Sequence, residues 1–303
     1  MHAQAATLLG LKASLANSVV QTTDPPIERN SNVESVSHAI VVRRIELDDV
    51  IDAIRKGFKD FHESRTDILF LCFVYPVIGL IATAGVSRAG YAQMAVPLVS
   101  GFVLVGPALG IGLYELSRRH ERGLSVRWAD MFSVLRSPAI HSMLGLAWVL
   151  VLFWMTWVAA TYFLYQDFVG DQMQTSIVHA TLNVLETKDG LLAVAFSLSI
   201  GAVLATLALA ISVVSFPLML DLEVGLHLAV LTSINVVRRN PIAIAMWGLL
   251  VLGRLITGFA FMIVGLVVVL PILGHGTWHL YRKLIAVPDD SEKASNEPRH
   301  GFH

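Results

Sequence analysis

Five stretches of this 303-residue chain run for about twenty residues or more with almost no charge, and they restrict the possible folds more than any other feature. A bilayer core about 30 Å thick is crossed by about 20 apolar residues in a helix. Ile68–Val86, Met94–Tyr114, Met143–Tyr165 and Leu191–Leu220 each meet that requirement without a charged side chain. Composition agrees, with 55% hydrophobic and 15% charged residues, against about 25% charged in a soluble chain. A single cysteine, Cys72, and a net charge of −1 exclude a disulfide scaffold and a nucleic-acid binder that depends on excess basic charge. No signal peptide is read at the N-terminus, where Lys12 interrupts the only weak apolar run.

The fifth stretch, Pro241–Gly274, is interrupted only by Arg254. As one helix it would be about 51 Å long, too long for a bilayer. Extended to Trp278 it makes two short passes that turn near Arg254–Gly258, with Arg254 anchoring at the interface. The expected fold is therefore an all-α, polytopic membrane helix bundle. Its six spans lie at about 68–86, 94–114, 143–165, 191–220, 241–257 and 259–279. With both ends in the cytoplasm, 19 of the 22 Lys and Arg residues fall on the inner side and only Arg88, Lys188 and Arg254 outside, as the positive-inside rule requires. Residues 1–40 and 287–303 read as flexible cytoplasmic tails around a single membrane domain at 41–286. The outer loop between the third and fourth spans suggests a short helix at about Ile177–Leu185.

Leu47, Val50, Ile51, Ile54, Phe58 and Phe61 form one apolar stripe at helical spacing, opposite a charged face. The spacing predicts an interfacial helix over Leu47–His62. Self-comparison then uncovers a repeat. Val105–Arg119 aligns without gaps to Val269–Lys283, pairing Pro107 with Pro271, Gly110 with Gly274, Gly112 with Gly276, Tyr114 with Trp278 and Arg118–Arg119 with Arg282–Lys283. Pro217 holds the same place near the end of the fourth span. The unit read is an interfacial helix followed by a transmembrane hairpin, used three times, the helices being Leu47–His62, Ser125–Arg136 and Leu222–Val237. Ser137-Pro138 and Asn240-Pro241 are expected to open odd spans as N-cap and first-turn pairs. Pro107, Pro217 and Pro271 are expected to bend the even spans. Gly106, Gly110, Gly112, Gly274 and Gly276 should let helices approach closely in lipid.

Four polar groups gather at the ends of the even spans: Glu115, Asp221, His275 and His279. Aligned by the repeat, they form a candidate cluster around one axis. His275 and His279, four residues apart, share a helix face compatible with metal or haem ligation. The plainer alternative is hydrogen bonding to neighbouring helix ends and basic pairs. Arg254 reads as an interfacial anchor, Asn235 and Thr232 as helix-end hydrogen bonders, and Cys72 as an apolar packer. Trp148, Trp154, Trp157 and Trp247 are expected on lipid-facing or packing surfaces. No phosphate loop, nucleophile elbow, zinc-protease helix or CxxC pair is present. No catalytic residue and no cofactor is predicted.

The segments VRRIELDDVIDAIRKGFKDF, GPALGIGLYELSRRHERG, SFPLMLDLEVGLHLAVLTSINVVRRNP and LPILGHGTWHLYRK together resemble an uncharacterised bacterial family of six-span integral membrane proteins. Its members are often labelled cytochrome c oxidase subunit I. The resemblance covers about Val42–Leu284 and implies an inner-membrane location and a fold, not an activity. A haem–copper catalytic subunit looks like a twelve-span bundle with about six buried histidine ligands. Here the histidines near the bilayer are His141, His227, His275 and His279, so that catalytic role is rejected. The expected function is a non-catalytic accessory, assembly or scaffold protein working by helix–helix contact, with the lipid bilayer and another membrane protein or respiratory complex as partners. The alternatives are a small-solute or ion pathway along the pseudo-threefold axis, and a haem or metal protein using His275 and His279.

Overall fold

The computed structural model describes residues 40–63, 74–170, 176–260 and 262–286. One compact unit runs from Val42 to Ala286. The expected tails, Cys72 and the start of the first apolar run lie outside the described residues. Helices occupy nearly all of the unit: α1 (Leu47–Glu63), α2 (Val74–Arg88), α3 (Ala95–Ser100), α4 (Phe102–Leu109), α5 (Ile111–Glu121), α6 (Ile140–Val169), α7 (Ile177–Glu186), α8 (Lys188–Ser212), α9 (Ser215–Leu222), α10 (Leu226–Arg239), α11 (Pro241–Ala260) and α12 (Met262–Leu284). A 3-10 helix, Trp128–Arg136, precedes α6.

Three helical segments are long and apolar enough to cross a membrane: Ile140–Val169, Lys188–Leu222 and Pro241–Gly258. A fourth arises if the bent pair Ala92–Val99 and Val103–Leu109 counts as one span. These three or four candidates, found among the described residues, are fewer than the six expected. The second apolar run is not a straight rod, because its two halves meet at 44°. The bend falls at Gly101, where a Cβ would collide with the Trp154 indole of α6, so the bend and that helix contact are one feature. A second break follows at Gly110, between α4 and α5, beside Pro107. In lipid the long spans need no burial. Trp148, Leu152 and Phe163 of α6 and Ile242, Leu249 and Ile256 of α11 are all largely exposed, a surface too apolar for water.

α11 runs to Ala260 and α12 begins at Met262, so exposed Arg254 sits inside α11 and the expected turn at Arg254–Gly258 falls on helix. Gly258 and Gly265 explain the shift, since a Cβ on Gly265 would stand 2.9 Å from the Gly258 Cα. Only bare backbones can cross so closely just after a turn. Pro271 lies inside an unbroken α12, whereas Pro217 sits in the first turn of α9, where its missing N–H leaves no intrahelical bond unmade.

α1 forms where the apolar stripe predicts it, and its buried positions are Val50, Ala53, Gly57 and Asp60. Leu47, Ile51 and Phe58 from the stripe are exposed. The small-residue face lies along α12, where a Cβ on Gly57 would meet the Gly276 nitrogen at 2.5 Å and the Ile272 carbonyl oxygen at 2.7 Å. The middle amphipathic segment is a 3-10 helix starting at Trp128, not an α-helix from Ser125, because Asp130 Oδ2 accepts the Arg127 N–H (2.8 Å) and tightens the first turn. The third starts at Leu226, four residues later than expected, because Glu223 takes the left-handed conformation (φ 53°) and ends α9. α7 spans Ile177–Glu186, with the Ser176 hydroxyl accepting the His179 N–H.

The two ends of the compact unit are joined. β1 (Val41–Val42) pairs with β2 (Ile285–Ala286), and the Arg43 N–H donates to the Leu284 carbonyl at 2.8 Å. α11 opens at Pro241 after Asn240 as expected, but the Asn240 side chain serves this junction and not the helix end: its Oδ1 accepts the Ile45 N–H (2.9 Å) and its Nδ2 donates to the Arg43 carbonyl (3.0 Å). Ser137 likewise does not cap α6, which starts at Ile140 after Ala139. Asn240→Ala is expected to lower stability by about 2 kcal/mol, since two backbone groups lose their partners. Asn240→Asp, which keeps the acceptor and loses the donor, should cost about half as much in the same detergent melting experiment.

Candidate functional site

The charged and polar side chains converge where the ends of α5, α9 and α12 meet. Tyr114, Phe216, Trp278 and Tyr281 are fully buried on these three helices. The Tyr114 hydroxyl donates to the Pro107 carbonyl at 3.1 Å, and its ring fills the space that a Cβ on Gly110 would need. Trp278, its counterpart in the sequence repeat, donates instead to Glu121 Oε2 (3.0 Å). Gly112 admits Met131 of the 3-10 helix, Gly274 admits Leu113, and Gly276 lies against Trp247, Ile54 and α1. Gly106, expected to support close packing, makes no such contact: a Cβ there would have nothing within 4 Å.

The four residues singled out from sequence fall into three separate networks. Glu115, 2% exposed, accepts hydrogen bonds from Arg118 Nε (2.7 Å), Arg119 Nε (2.8 Å) and the Ser133 hydroxyl (3.1 Å). Arg118 also donates to the Leu220 carbonyl of α9 (3.0 Å), and Arg119 reaches Asp130 at 3.2 Å. Asp221 accepts the Tyr281 hydroxyl proton at 2.9 Å and lies 3.3 Å from Arg122 and 3.4 Å from Arg282. His275 and His279 alone share a network, and its centre is a residue that the sequence pattern does not single out.

That residue is Asp60. Its Oδ2 accepts from the Ser117 hydroxyl (3.0 Å) and from His279 Nε2 (2.8 Å). Ser117 Oγ in turn lies 2.7 Å from His275 Nδ1. Asp60, Ser117 and His275 are 8%, 1% and 1% exposed. Burial pushes the Asp60 carboxyl up, but the His279 hydrogen bond, the imidazole charges and Ser117 outweigh it and hold the group below its ordinary value. One signal for Asp60 exists in the sequence: Val50, Ala53, Gly57 and Asp60 recur at helical spacing, a second and smaller stripe beside the large apolar one. Ser117 carries no such signal. Among the described residues no group of three or more His, Cys, Asp or Glu is placed to hold a metal ion.

A further clamp ties α1 to α12. Lys283 Nζ bridges Asp49 (2.9 Å) and Asp52 (2.8 Å). Burial works to lower the lysine pKa, but the two carboxylates outweigh it and raise it above its ordinary 10.5. Hydrogen bonds from Lys283 hold both carboxyls below their ordinary 3.8. A raised lysine pKa contributes stability that is present below 10.5 and lost as pH rises through the higher folded value. Depressed carboxyl pKa values contribute stability that is present above 3.8 and lost as pH falls through the folded values. The melting-temperature difference between wild type and Lys283→Met should therefore be largest between these limits and vanish beyond both.

Long lipid-exposed helices closed at one end by a polar helix junction define a multi-pass integral membrane protein. Residues 95–221 match a family model described as "Predicted integral membrane protein (DUF2189)". The match covers α3 to α9, including Glu115, Ser117 and Asp221. No curated protein and no solved structure matches the chain. No named relative therefore supports an oxidase label.

Proposed function

We propose that this is a non-catalytic accessory or scaffold protein of the bacterial inner membrane, with six spans in three hairpins and both termini in the cytoplasm. The observation that carries the functional reading is the mutual closure of the charged groups at the ends of α5, α9 and α12. Glu115, Asp221, Glu121 and Lys283 each have two or more partners, and fully buried aromatic rings lie between them. Such an end is a rigid platform, and the exposed apolar flanks of α6 and α11 are free to meet lipid or another membrane protein. The threefold reading draws support from the packing: the 3-10 helix lies along α5, α10 along α9, and α1 along α12. Each amphipathic segment thus covers the end of an even span, and α1 closes the cycle back onto the last. Native purification in mild detergent should bring down a stoichiometric membrane partner, and an isolated monomer in several detergents overturns the reading. A tag on the C-terminus should be shielded from membrane-impermeant reagents in intact cells; labelling from the periplasm overturns the topology.

A second reading, an ion or solute pathway, is favoured by one observation. His275 Nε2 is buried and has no hydrogen-bond partner among the described residues.

A further inference from the structure

The hydrogen-bond directions around Ser117 determine the state of His275. The Asp60 carboxylate has no proton to give, so the single Ser117 hydroxyl proton goes to Asp60 Oδ2. The contact between Ser117 Oγ and His275 Nδ1 then needs its proton from the imidazole. Neutral His275 is thereby held as the Nδ1–H tautomer, and its Nε2 presents a bare lone pair in a buried site, the residue being 1% exposed. His279, on the same carboxylate oxygen, stands nearer the surface, with 18% of its side chain accessible.

We propose that Asp60, Ser117 and His275 form a proton relay between the buried Nε2 of His275 and the polar rim of the bundle at His279. This inference rests on the second reading above. A hydrated proton reaching the bundle interior binds at Nε2, the Nδ1 proton passes to Ser117 Oγ, and the Ser117 hydroxyl proton passes to Asp60 Oδ2. One proton is thus removed from the interior and one appears on Asp60, which becomes a neutral carboxylic acid and releases it to water at the rim. No electron moves and no heavy-atom bond changes. The titratable groups facing the relay are His279 on α12 and the His120–Glu63 pair, 3.2 Å apart, which joins α5 to α1.

The test uses the full-length protein in phosphatidylethanolamine–phosphatidylglycerol vesicles holding a pH dye, with a potassium diffusion potential as the driving force. Wild type is expected to conduct protons at least about tenfold faster than protein-free vesicles. Ser117→Ala and His275→Phe should fall to the background rate, and Ser117→Thr, which keeps the hydroxyl, should retain conduction. Nitrogen-15 spectra of wild-type histidine side chains in the same lipid need no variant, and should show His275 protonated at Nδ1 and bare at Nε2. Background conduction by wild type, unchanged conduction in Ser117→Ala, or a proton on Nε2 at rest each overturns the relay. Flux of another ion or solute that survives loss of proton conduction leaves the pathway reading standing while the relay fails.

Discussion

Gly57→Leu is expected to detach α1 from α12 and to lower the melting temperature more than any other single substitution on α1. The Gly57 Cα faces the Gly276 backbone so closely that even one carbon would stand 2.5–2.8 Å from Gly276 and Ile272 atoms. These are main-chain atoms of a helix, which cannot turn aside as a flexible side chain can. Gly57→Ala separates the two opposing effects. Alanine gains about 1 kcal/mol of helix propensity, and overpacking against rigid backbone costs about 3 kcal/mol. The net expectation is a loss of about 2 kcal/mol, and Gly57→Leu should lose more. Gly85 of α2 is the control, because nothing lies within 4 Å of a Cβ built there. Gly85→Ala should be neutral or stabilising by up to about 1 kcal/mol in the same thermal unfolding series. Equal losses at both positions would show that glycine flexibility, and not contact, decides the outcome.

Glu115→Ala is the second large effect. One carboxylate there receives two guanidinium groups and a hydroxyl, and through them α5 is linked to the 3-10 helix and to the end of α9. Removing one partner of a fully buried ion pair costs about 3–5 kcal/mol. The arginines here keep 21% and 27% of their side-chain exposure, so water recovers part of the loss, and about 2–3 kcal/mol is expected. Ser133→Ala removes a single neutral donor to the same carboxylate and should cost about 1 kcal/mol. Additivity provides the check. In Glu115→Ala the Ser133 hydroxyl has already lost that acceptor, so the double variant should lose less than the two single losses combined.

Much of the helical layout is legible in the chain. The long spans rest on hydropathy summed over twenty residues, and α1, α7 and α10 on local periodicity, so each needs only its own segment. The expected α1 ends within one residue of the observed helix. The large apolar stripe predicts the helix but not the face by which it packs on α12. In lipid the surface-exposed apolar residues gain nothing by turning inward, so small residues such as Gly57 and Ala53 take the helix contact instead. The continuation of α11 to Ala260 departs from expectation through a similar preference, since Arg254 is the conspicuous residue while Gly258 and Gly265 set the crossing.

The candidate cluster shows the other limit. Glu115, Asp221, His275 and His279 are recognisable as polar groups in an apolar context, and all four lie near the same helix ends. Arg118 and Arg119 on Glu115, and Arg282 on Asp221, belong to the basic pairs expected beside them, but the link from the histidines to Asp60 is not recognisable. Asp60 and His279 are separated by 219 positions, and no periodicity or spacing connects them.

Membrane residence and the positions of most helices follow from the amino-acid order alone, because transfer of an apolar segment into lipid and closure of its own backbone hydrogen bonds are short-range events. The choice of which carboxylate receives which arginine, lysine or histidine belonged to the tertiary structure. Many such pairings are nearly equal in energy along an isolated chain, and only the close approach of α1, α5, α9 and α12 removes water from some of them and makes the difference between partners count.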